Sequence, residues 1–184
     1  MLNSSGLNFE QVYADYQPKI YRYLSRLTDD REAEDLTQEV FVKVNRALET
    51  FRGESKLSTW LYRIATNAAL DKMRSSSFRQ NAREITFDDS CDTQVEDIRN
   101  WEESSSLEQI LLEKERFHCF SNFVRELPMN YRIVIMLSEV EELTCKEIAE
   151  VLGLNQDVVK IRLHRGRVRL FEELKSHCRP EEWL

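Results

Sequence analysis

The chain has 184 residues, of which 41% are hydrophobic and 32% charged, so it can bury a core of modest size. With 4 Gly and 3 Pro it is poor in the turn residues that β-sandwiches and barrels need, which favours long helices. The net charge of −7 is uneven, because residues 84–115 hold eleven acids and two bases whereas residues 52–83 hold seven bases and two acids. With no membrane-length apolar run and no signal-peptide pattern at the start, we expect a cytoplasmic protein.

Two amphipathic helices open the chain. The first is predicted from Phe9 to Leu27, and Pro18 is expected to kink or divide it. The second is predicted from Asp29 to Leu48, with Asp29 or Asp30 as its N-cap. Its buried side is predicted at Leu36, Val40, Phe41 and Val44. Its middle carries an acidic polar face, formed by Asp35, Gln38 and Glu39. Such a face is usually only solvated, but it also suits the docking of a basic partner.

A loop follows from Phe51 to Trp60, with the sequence FRGESKLSTW, and Ser58 or Thr59 is expected to cap the next helix. That third helix is predicted from Trp60 to Arg74. Four of its polar side chains share one face, namely Arg63, Asn67, Asp71 and Arg74. Aromatic rings beside cations suit single-stranded nucleic acid, which stacks on rings and needs cations for its phosphates. A buried core role fits Trp60 and Tyr62 equally well.

The second half of the chain is again helical. Residues 75–105 are rich in Ser, Asp and Glu and predict a flexible linker. Helical periodicity resumes from Leu107 to Leu127, where Pro128 ends the helix, and a short apolar helix is predicted from Tyr131 to Val140. Together with the two helices that follow, these segments predict a small four-helix domain.

The stretch from Leu143 to Arg169 has the pattern of a helix-turn-helix. Thr144 and Glu147 form a capping box, Gly153 suits a left-handed turn, and Asn155 can cap the second helix. One side of that helix is predicted to be buried, at Val159, Leu163, Gly166 and Leu170. The other side carries Lys160, Ile161, His164 and Arg165, with Arg162, Arg167 and Arg169 flanking. A basic helix face suits the DNA major groove, although an ordinary helical hairpin with a solvated face has the same pattern.

In this order, the segments resemble the sigma-70 family of bacterial transcription initiation factors, and specifically its small extracytoplasmic-function (ECF) group. DREAEDLTQEVFVKV and FRGESKLSTWLYRIATNAALDKMR resemble region two of the family. ELPMNYRIVIMLSEVEELTCKEIAEVLGL and VVKIRLHRGRVRL resemble region four. The resemblance implies an all-α fold of two small helical domains, region two at 1–77 and region four at 107–184, joined by a flexible acidic linker at 78–106.

The chain departs from the family pattern at three places. Glu142 stands where family members often carry Gly, and a left-handed backbone there would strain a glutamate. Asp157 and Val158 replace the usual Gly-Thr early in the recognition helix, and Ile161 stands where Ser is common. These departures affect the promoter sequence that we expect to be read rather than the function.

The resemblance also implies a role for each face. Binding to core RNA polymerase, on the clamp helices of its largest subunit, is assigned to Asp35, Gln38, Glu39 and Phe41. Recognition of the minus-ten element, with capture of a flipped base, is assigned to Phe51, Trp60, Arg63, Asn67, Asp71 and Arg74. Recognition of the minus-thirty-five element is assigned to Lys160, Ile161, Arg162, His164, Arg165, Arg167 and Arg169.

The function implied is that of an ECF sigma factor. We expect it to bind core RNA polymerase, at the clamp helices and the flap region, to direct the enzyme to specific promoters and to assist promoter melting. We expect an anti-sigma factor, itself membrane-linked, to hold it inactive. The sequence contains no Ser/His/Asp set, P-loop or HExxH motif, so we expect no catalysis by the chain itself and no cofactor or metal.

Other functions account for less of the chain. A stand-alone helix-turn-helix regulator would use residues 143–169 and leave the acidic face and the FRGESKLSTW loop without a role. A helical enzyme with Mg²⁺ held by Asp29, Asp30, Glu34 and Asp35 would lack a second acidic helix facing them. A metal site at His118-Cys119 and His177-Cys178 would be a poor chelate, because adjacent residues of a helix point in different directions.

Overall fold

The computed structural model describes residues 7–79 and 123–177, and all regular structure in these two stretches is helical. The N-terminal bundle (residues 7–79) contains α1 (Phe9–Leu27), α2 (Asp30–Ala47), a 3₁₀ turn (Leu48–Thr50) and α3 (Leu57–Arg79). The C-terminal unit (residues 123–177) contains α4 (Met129–Ile135), a π-helical continuation (Met136–Val140), α5 (Cys145–Leu152) and α6 (Gln156–His177). The all-α prediction is therefore confirmed for these residues, whereas the acidic segment and most of the helix predicted from Leu107 to Leu127 lie outside them.

The N-terminal bundle closes around apolar side chains from its three helices. Among the most buried are Ile20, Tyr23, Leu24, Leu27, Val40, Val44, Leu61 and Ala65. Tyr23 is wholly buried, and its hydroxyl shares a 2.8 Å hydrogen bond with the hydroxyl of Thr66, so both buried polar groups are satisfied. The Tyr23 ring meets the Tyr62 ring edge to face, with 5.3 Å between centroids. This aromatic pair joins the C-terminal part of α1 to the first half of α3.

Helix α1 runs unbroken through Pro18, so the predicted division of this helix is wrong. An interior proline removes one helical hydrogen bond and costs about 3 kcal/mol. The next turns bury Ile20, Tyr23 and Leu24 completely, and each large buried side chain contributes roughly 1.5–3 kcal/mol. Tertiary burial therefore outweighs the local cost of the proline.

Helix α3 begins at Leu57, earlier than predicted, so neither Ser58 nor Thr59 caps it. The backbone N–H of Trp60 already bonds to the carbonyl of Lys56 at 3.1 Å, which closes the first turn. Thr59 is buried inside that turn, and its hydroxyl makes no hydrogen bond within the described part of the chain. The helix therefore begins before either of the predicted capping residues.

The predicted caps of α2, α5 and α6 are confirmed. The Asp29 carboxylate accepts a backbone N–H from three residues further along at 2.8 Å. Thr144 and Glu147 form the capping box before α5, and Gly153 ends that helix with a φ of 66°. Asn155 accepts a backbone N–H at 3.0 Å at the start of α6. Local side-chain chemistry thus fixes both ends of the turn in the helix-turn-helix.

The buried side of α6 is also confirmed. Val159, Leu163, Gly166 and Leu170 all lie against the core of the C-terminal unit. A Cβ at Gly166 would stand 3.1 Å from the side chain of Ile135, so the missing side chain lets α4 and α6 approach closely. This packing sets the rotation of α6 and turns its opposite side to solvent.

The two units pack on each other, with α3 against α5. Two arginines of the C-terminal unit also reach backbone carbonyls at the end of α1. Arg125 donates to the carbonyl of Ser25 at 2.6 Å, and Arg132 donates to the carbonyl of Leu27 at 3.3 Å. The sequence alone predicted no particular placement of one unit relative to the other.

The left-handed backbone anticipated at Glu142 is present, with a φ of 55°. An L-residue in this conformation costs roughly 1–2 kcal/mol because its Cβ crowds the carbonyl, whereas glycine has no Cβ.

Replacing Glu142 by glycine is therefore expected to raise the free energy of unfolding by about 0.5–1 kcal/mol, after allowing for the greater chain entropy of unfolded glycine. Urea denaturation followed by circular dichroism measures the change. Glu142→Ala is the control, because it removes the same charge but keeps the crowded Cβ. An equal gain in both variants would attribute the effect to charge rather than to backbone strain.

Candidate polymerase and nucleic-acid surfaces

The acidic face of α2 is exposed as predicted. Asp35, Gln38 and Glu39 all point to solvent, and Glu39 forms a 2.7 Å salt bridge with Lys43 one turn further along. Both partners of this salt bridge are about half exposed, so it holds the side chains only loosely. The face therefore remains open to a macromolecular partner.

Phe41 does not belong to this exposed face, although the family resemblance assigned it to polymerase binding. It is 3% exposed and meets the ring of Tyr13 edge to face at 4.9 Å. The physical reason is its spacing, four residues after Thr37 and three before Val44, which are both buried. Helical periodicity overrides the position of Phe41 beside the acidic residues.

The polar face of α3 is present and exposed. It consists of Arg63, Asn67, Asp71 and Arg74. Beside it, the rings of Phe51 and Trp60 lie 5.1 Å apart, and both side chains are only partly buried. Two roles were left open for Tyr62, stacking on nucleic acid or packing in the core. Tyr62 is buried, so the core role is confirmed. A polar face next to two accessible rings has the groups that an unstacked nucleic-acid strand uses.

The basic face of α6 is formed by a subset of the residues predicted for it. Lys160, His164, Arg165 and Arg169 are exposed, and Ile161 is half-buried. Lys160 lies 3.3 Å from the carboxylate of Asp157 in the first turn of the helix. This acid lowers the positive potential at the start of this basic face.

Arg162 lies on the packed side of α6 at 6% exposure, although it was predicted to flank the basic face and to contact phosphate. It follows Val159 by three residues and precedes Gly166 by four, which places it on the same side of the helix as both. The sequence shows this spacing, but the basic character of Arg162 favoured a position that flanks the exposed face.

Arg167 and Arg169 are both engaged within the C-terminal unit. Arg167 donates to a carboxylate oxygen of Glu139 through Nη2 at 2.6 Å and Nε at 3.0 Å. The guanidinium of Arg169 lies 4.9 Å from the centre of the Tyr131 ring, which is a cation–π contact. A phosphate would have to compete with Glu139 for Arg167, whereas Arg169 can bind one while it stays on the ring.

The structure adds three glutamates to which the sequence assigned no role toward another side chain. Glu139 binds Arg167, Glu141 binds Tyr62, and the capping-box Glu147 also binds Lys56. The pair of Glu141 and Tyr62 joins residues 79 positions apart, a separation that no local pattern reveals.

A metal site is not formed among the side chains of the described residues, where no three His, Cys, Asp or Glu groups lie close enough together. The alternative at His118-Cys119 and His177-Cys178 falls outside the described side chains. Within the same residues no helix is both long and apolar enough to cross a membrane.

Comparison with known proteins places both units in one family. Residues 12–79 match the family model "Sigma-70 region 2", and residues 117–170 match "Sigma-70, region 4". The chain is 31% identical over 176 residues to the ECF RNA polymerase sigma factor SigW of Bacillus subtilis, covering 91% of this chain and 89% of that protein. It is 32% identical to the RNA polymerase sigma-H factor of Pseudomonas aeruginosa, covering 93% and 88% of the two chains. The protein is therefore a sigma-70 family transcription initiation factor.

Within that family, the chain belongs to the ECF RNA polymerase sigma factors. Its fold resembles that of the sigma factor RpoE in a complex with the anti-sigma factor NepR from Bartonella quintana, with a TM-score of 0.66, 22% identity and coverage of 93% and 98%. It also resembles CnrH in a complex with the cytosolic domain of CnrY, with a TM-score of 0.62, 20% identity and coverage of 92% and 88%.

Proposed function

We propose that this ECF sigma factor uses three separate surfaces to start transcription. The acidic face of α2 binds the clamp helices of core RNA polymerase. The polar face of α3, with the ring pair of Phe51 and Trp60, holds the melted minus-ten strand. The basic face of α6 reads the minus-thirty-five element, while region four also contacts the flap of the polymerase. The chain itself catalyses nothing and acts in the cytoplasm.

The observation that carries this proposal is the order of the exposed faces along the chain. Two of them lie within the region 2 match and the third within the region 4 match. The proposed domains, region two at 1–77, the acidic linker at 78–106 and region four at 107–184, follow the same order. The RpoE structure compared above is a complex with an anti-sigma factor, and the CnrH structure is a complex with the cytosolic domain of CnrY. These partners support control of this chain by a membrane-linked anti-sigma factor.

The residues proposed for each surface follow from exposure as well as from the family pattern. Polymerase binding rests on Asp35, Gln38 and Glu39. Minus-ten recognition rests on Phe51, Trp60, Arg63, Asn67, Asp71 and Arg74. Minus-thirty-five recognition rests on Lys160, Ile161, His164 and Arg165, with Arg169 on a phosphate and Arg167 available only if it leaves Glu139.

The test is assembly with bacterial core RNA polymerase in a native mobility assay. A one-to-one complex, with little binding of promoter duplex by the free chain, is the expected result. Tight duplex binding by the free chain without any polymerase complex would instead favour a stand-alone helix-turn-helix regulator and overturn the proposal.

Asn67→Ala is expected to impair minus-ten recognition while leaving the affinity for core polymerase unchanged. Asn67 is exposed, so its truncation should alter folding stability by no more than about 0.5 kcal/mol. Its amide can pair with a base edge, which alanine cannot do. Binding of holoenzyme to a forked minus-ten template measures the loss.

Gln11→Ala is the matched control for Asn67→Ala, since it removes another exposed amide from a different helix, α1. It should leave binding to the forked template unchanged. If Asn67→Ala lost polymerase binding as well, Asn67 would be structural rather than a reader of DNA.

A further inference from the structure

An acidic side chain lies on the exposed side of α6, close to the start of that helix. Asp157 precedes Ile161 by four residues and His164 by seven, so the three side chains share one side of the helix. The Asp157 side chain is 77% exposed. Its carboxylate therefore projects from the same surface as the side chains proposed to read the minus-thirty-five element.

The structure of the helix does not account for this acid. Asn155 caps α6, and its amide oxygen accepts the backbone N–H of Asp157 at 3.0 Å. The carboxylate of Asp157 lies 3.3 Å from the ammonium group of Lys160, which is itself more than half exposed. An exposed ion pair of this kind contributes little to folding stability. Both side chains are therefore available to bind a partner.

A carboxylate on a surface that approaches DNA is repelled by the phosphates. Only a hydrogen-bond donor on a base edge compensates for this repulsion, and the major groove offers two, the amino groups of cytosine and adenine. Adenine also presents the acceptor N7 beside its amino group, an arrangement that suits an amide side chain. Cytosine presents its N4 amino group without that acceptor, so an acid at this place favours cytosine.

The pair of Asp157 and Lys160 is complementary to the edge of one whole base pair. In a G·C pair the guanine acceptors O6 and N7 lie beside the cytosine amino group. The guanine O6 and the cytosine N4 are joined by a hydrogen bond of about 2.9 Å, which is close to the 3.3 Å between the Lys160 and Asp157 side chains. A donor and an acceptor at this spacing match both bases at once, and exchanging the two strands reverses the match.

We propose that Asp157 and Lys160 together read one G·C pair of the minus-thirty-five element. Asp157 accepts a hydrogen bond from the N4 amino group of cytosine, and Lys160 donates to O6 and N7 of guanine. This inference rests on the proposed function, because α6 must be the helix that reads this element. The acid adds specificity rather than affinity, since it repels every sequence that lacks the amino group at that position.

The experiment selects promoter duplexes with holoenzyme made from the full chain. The minus-thirty-five element is randomised, and the bound duplexes are sequenced. The parent chain should favour G·C over the other three pairs by roughly tenfold at one position, in one strand orientation. This position should differ from the one at which Arg165→Ala relaxes base choice. The absence of such a position would overturn the inference.

Modified bases test the two contacts separately on the selected duplex. N4-methylcytosine still pairs with guanine, but its methyl group replaces the hydrogen that points into the groove. 7-Deazaguanine lacks the N7 acceptor. Each base should weaken binding by about fivefold or more for the parent holoenzyme. Unchanged binding to N4-methylcytosine would overturn the contact assigned to Asp157.

Two substitutions of Asp157 have different expected results. Asp157→Ala should lose the cytosine preference and bind the other duplexes more tightly, because the repulsion is removed. Asp157→Asn should change the preference from cytosine to adenine, since an amide pairs with both N6 and N7 of adenine. A role only in helix stability would produce neither change. Circular dichroism checks that the helices remain intact.

Glu172→Gln is the matched control, since it removes another exposed carboxylate from α6. Position 172 lies fifteen residues further along, which is about 22 Å at 1.5 Å per residue. This variant should keep every base preference of the parent chain. If Asp157→Ala kept the cytosine preference, or gained affinity equally for all duplexes, Asp157 would not be a reader of bases.

Failure of this inference is distinguishable from failure of the proposed function. Holoenzyme that forms and binds promoters without the G·C preference would overturn the inference alone. If no holoenzyme forms, the proposed function fails, and the same selection with the free chain at low salt then tests the contact. Loss of the cytosine preference in Asp157→Ala would still support the reading of G·C, and a free chain that bound no duplex would overturn both.

Discussion

Replacing Asp35 and Glu39 together by arginine is expected to abolish binding to core RNA polymerase and to leave the helical content unchanged. Both side chains are exposed, and they lie one turn apart on α2. Reversing two charges in a complementary interface brings like charges together, at a cost of several kcal/mol. The fold should tolerate the change, because neither carboxylate packs in the core. A native mobility assay measures binding to core RNA polymerase, and circular dichroism on the same preparation measures the helical content.

The control for this charge reversal is Glu10→Arg with Asp15→Arg on α1, which changes the net charge equally at two exposed positions. It should bind polymerase as the parent chain does. Assembly of holoenzyme by the α2 variant would refute the docking assignment. Loss of binding by both variants would indicate a response to overall charge rather than to one face.

Local chemistry explains why much of this fold was predictable from sequence. The capping box of Thr144 and Glu147 and the left-handed Gly153 depend on neighbours within four residues, so the sequence displays their determinants directly. The buried side of α6 likewise follows from the helical spacing of its apolar residues. Helical period predicted correctly that Phe41 is buried, and its assignment to the polymerase surface came from the family resemblance. Arg162 was expected to flank the basic face, although its spacing puts it on the packed side of α6.

Tertiary context explains what could not be predicted. Pro18 by itself predicts a break in α1. The helix continues through it because Ile20, Tyr23 and Leu24 are buried against other helices. The contact of Glu141 with Tyr62 depends on how the two units pack against each other. Patterns of charge and hydrophobic period predict which residues share a helix face. They do not predict which other helix that face packs against.

Among the proposed surfaces, the basic face of α6 is where one substitution is expected to alter sequence preference most. Arg165 is exposed beside Lys160 and His164, on the side of α6 opposite the buried stripe. A guanidinium can donate two hydrogen bonds to the edge of a guanine. This bidentate contact favours guanine over other bases by about 1–3 kcal/mol. Arg165→Ala should therefore weaken promoter binding by that amount and relax base choice at one position of the minus-thirty-five element.

Two matched variants separate base reading from simple attraction of phosphate. Arg165→Lys keeps the charge but not the planar fork, so it should recover affinity and not selectivity. Arg169→Ala removes a cation that stacks on Tyr131, and it should weaken all promoters about equally and reduce the salt dependence by roughly one phosphate contact. Holoenzyme binding to duplexes that differ at single positions, at fixed salt, measures each effect. If Arg165→Ala changed neither affinity nor base preference, the recognition face would be wrongly assigned, and the α6 side that carries Arg169 would be the next to test.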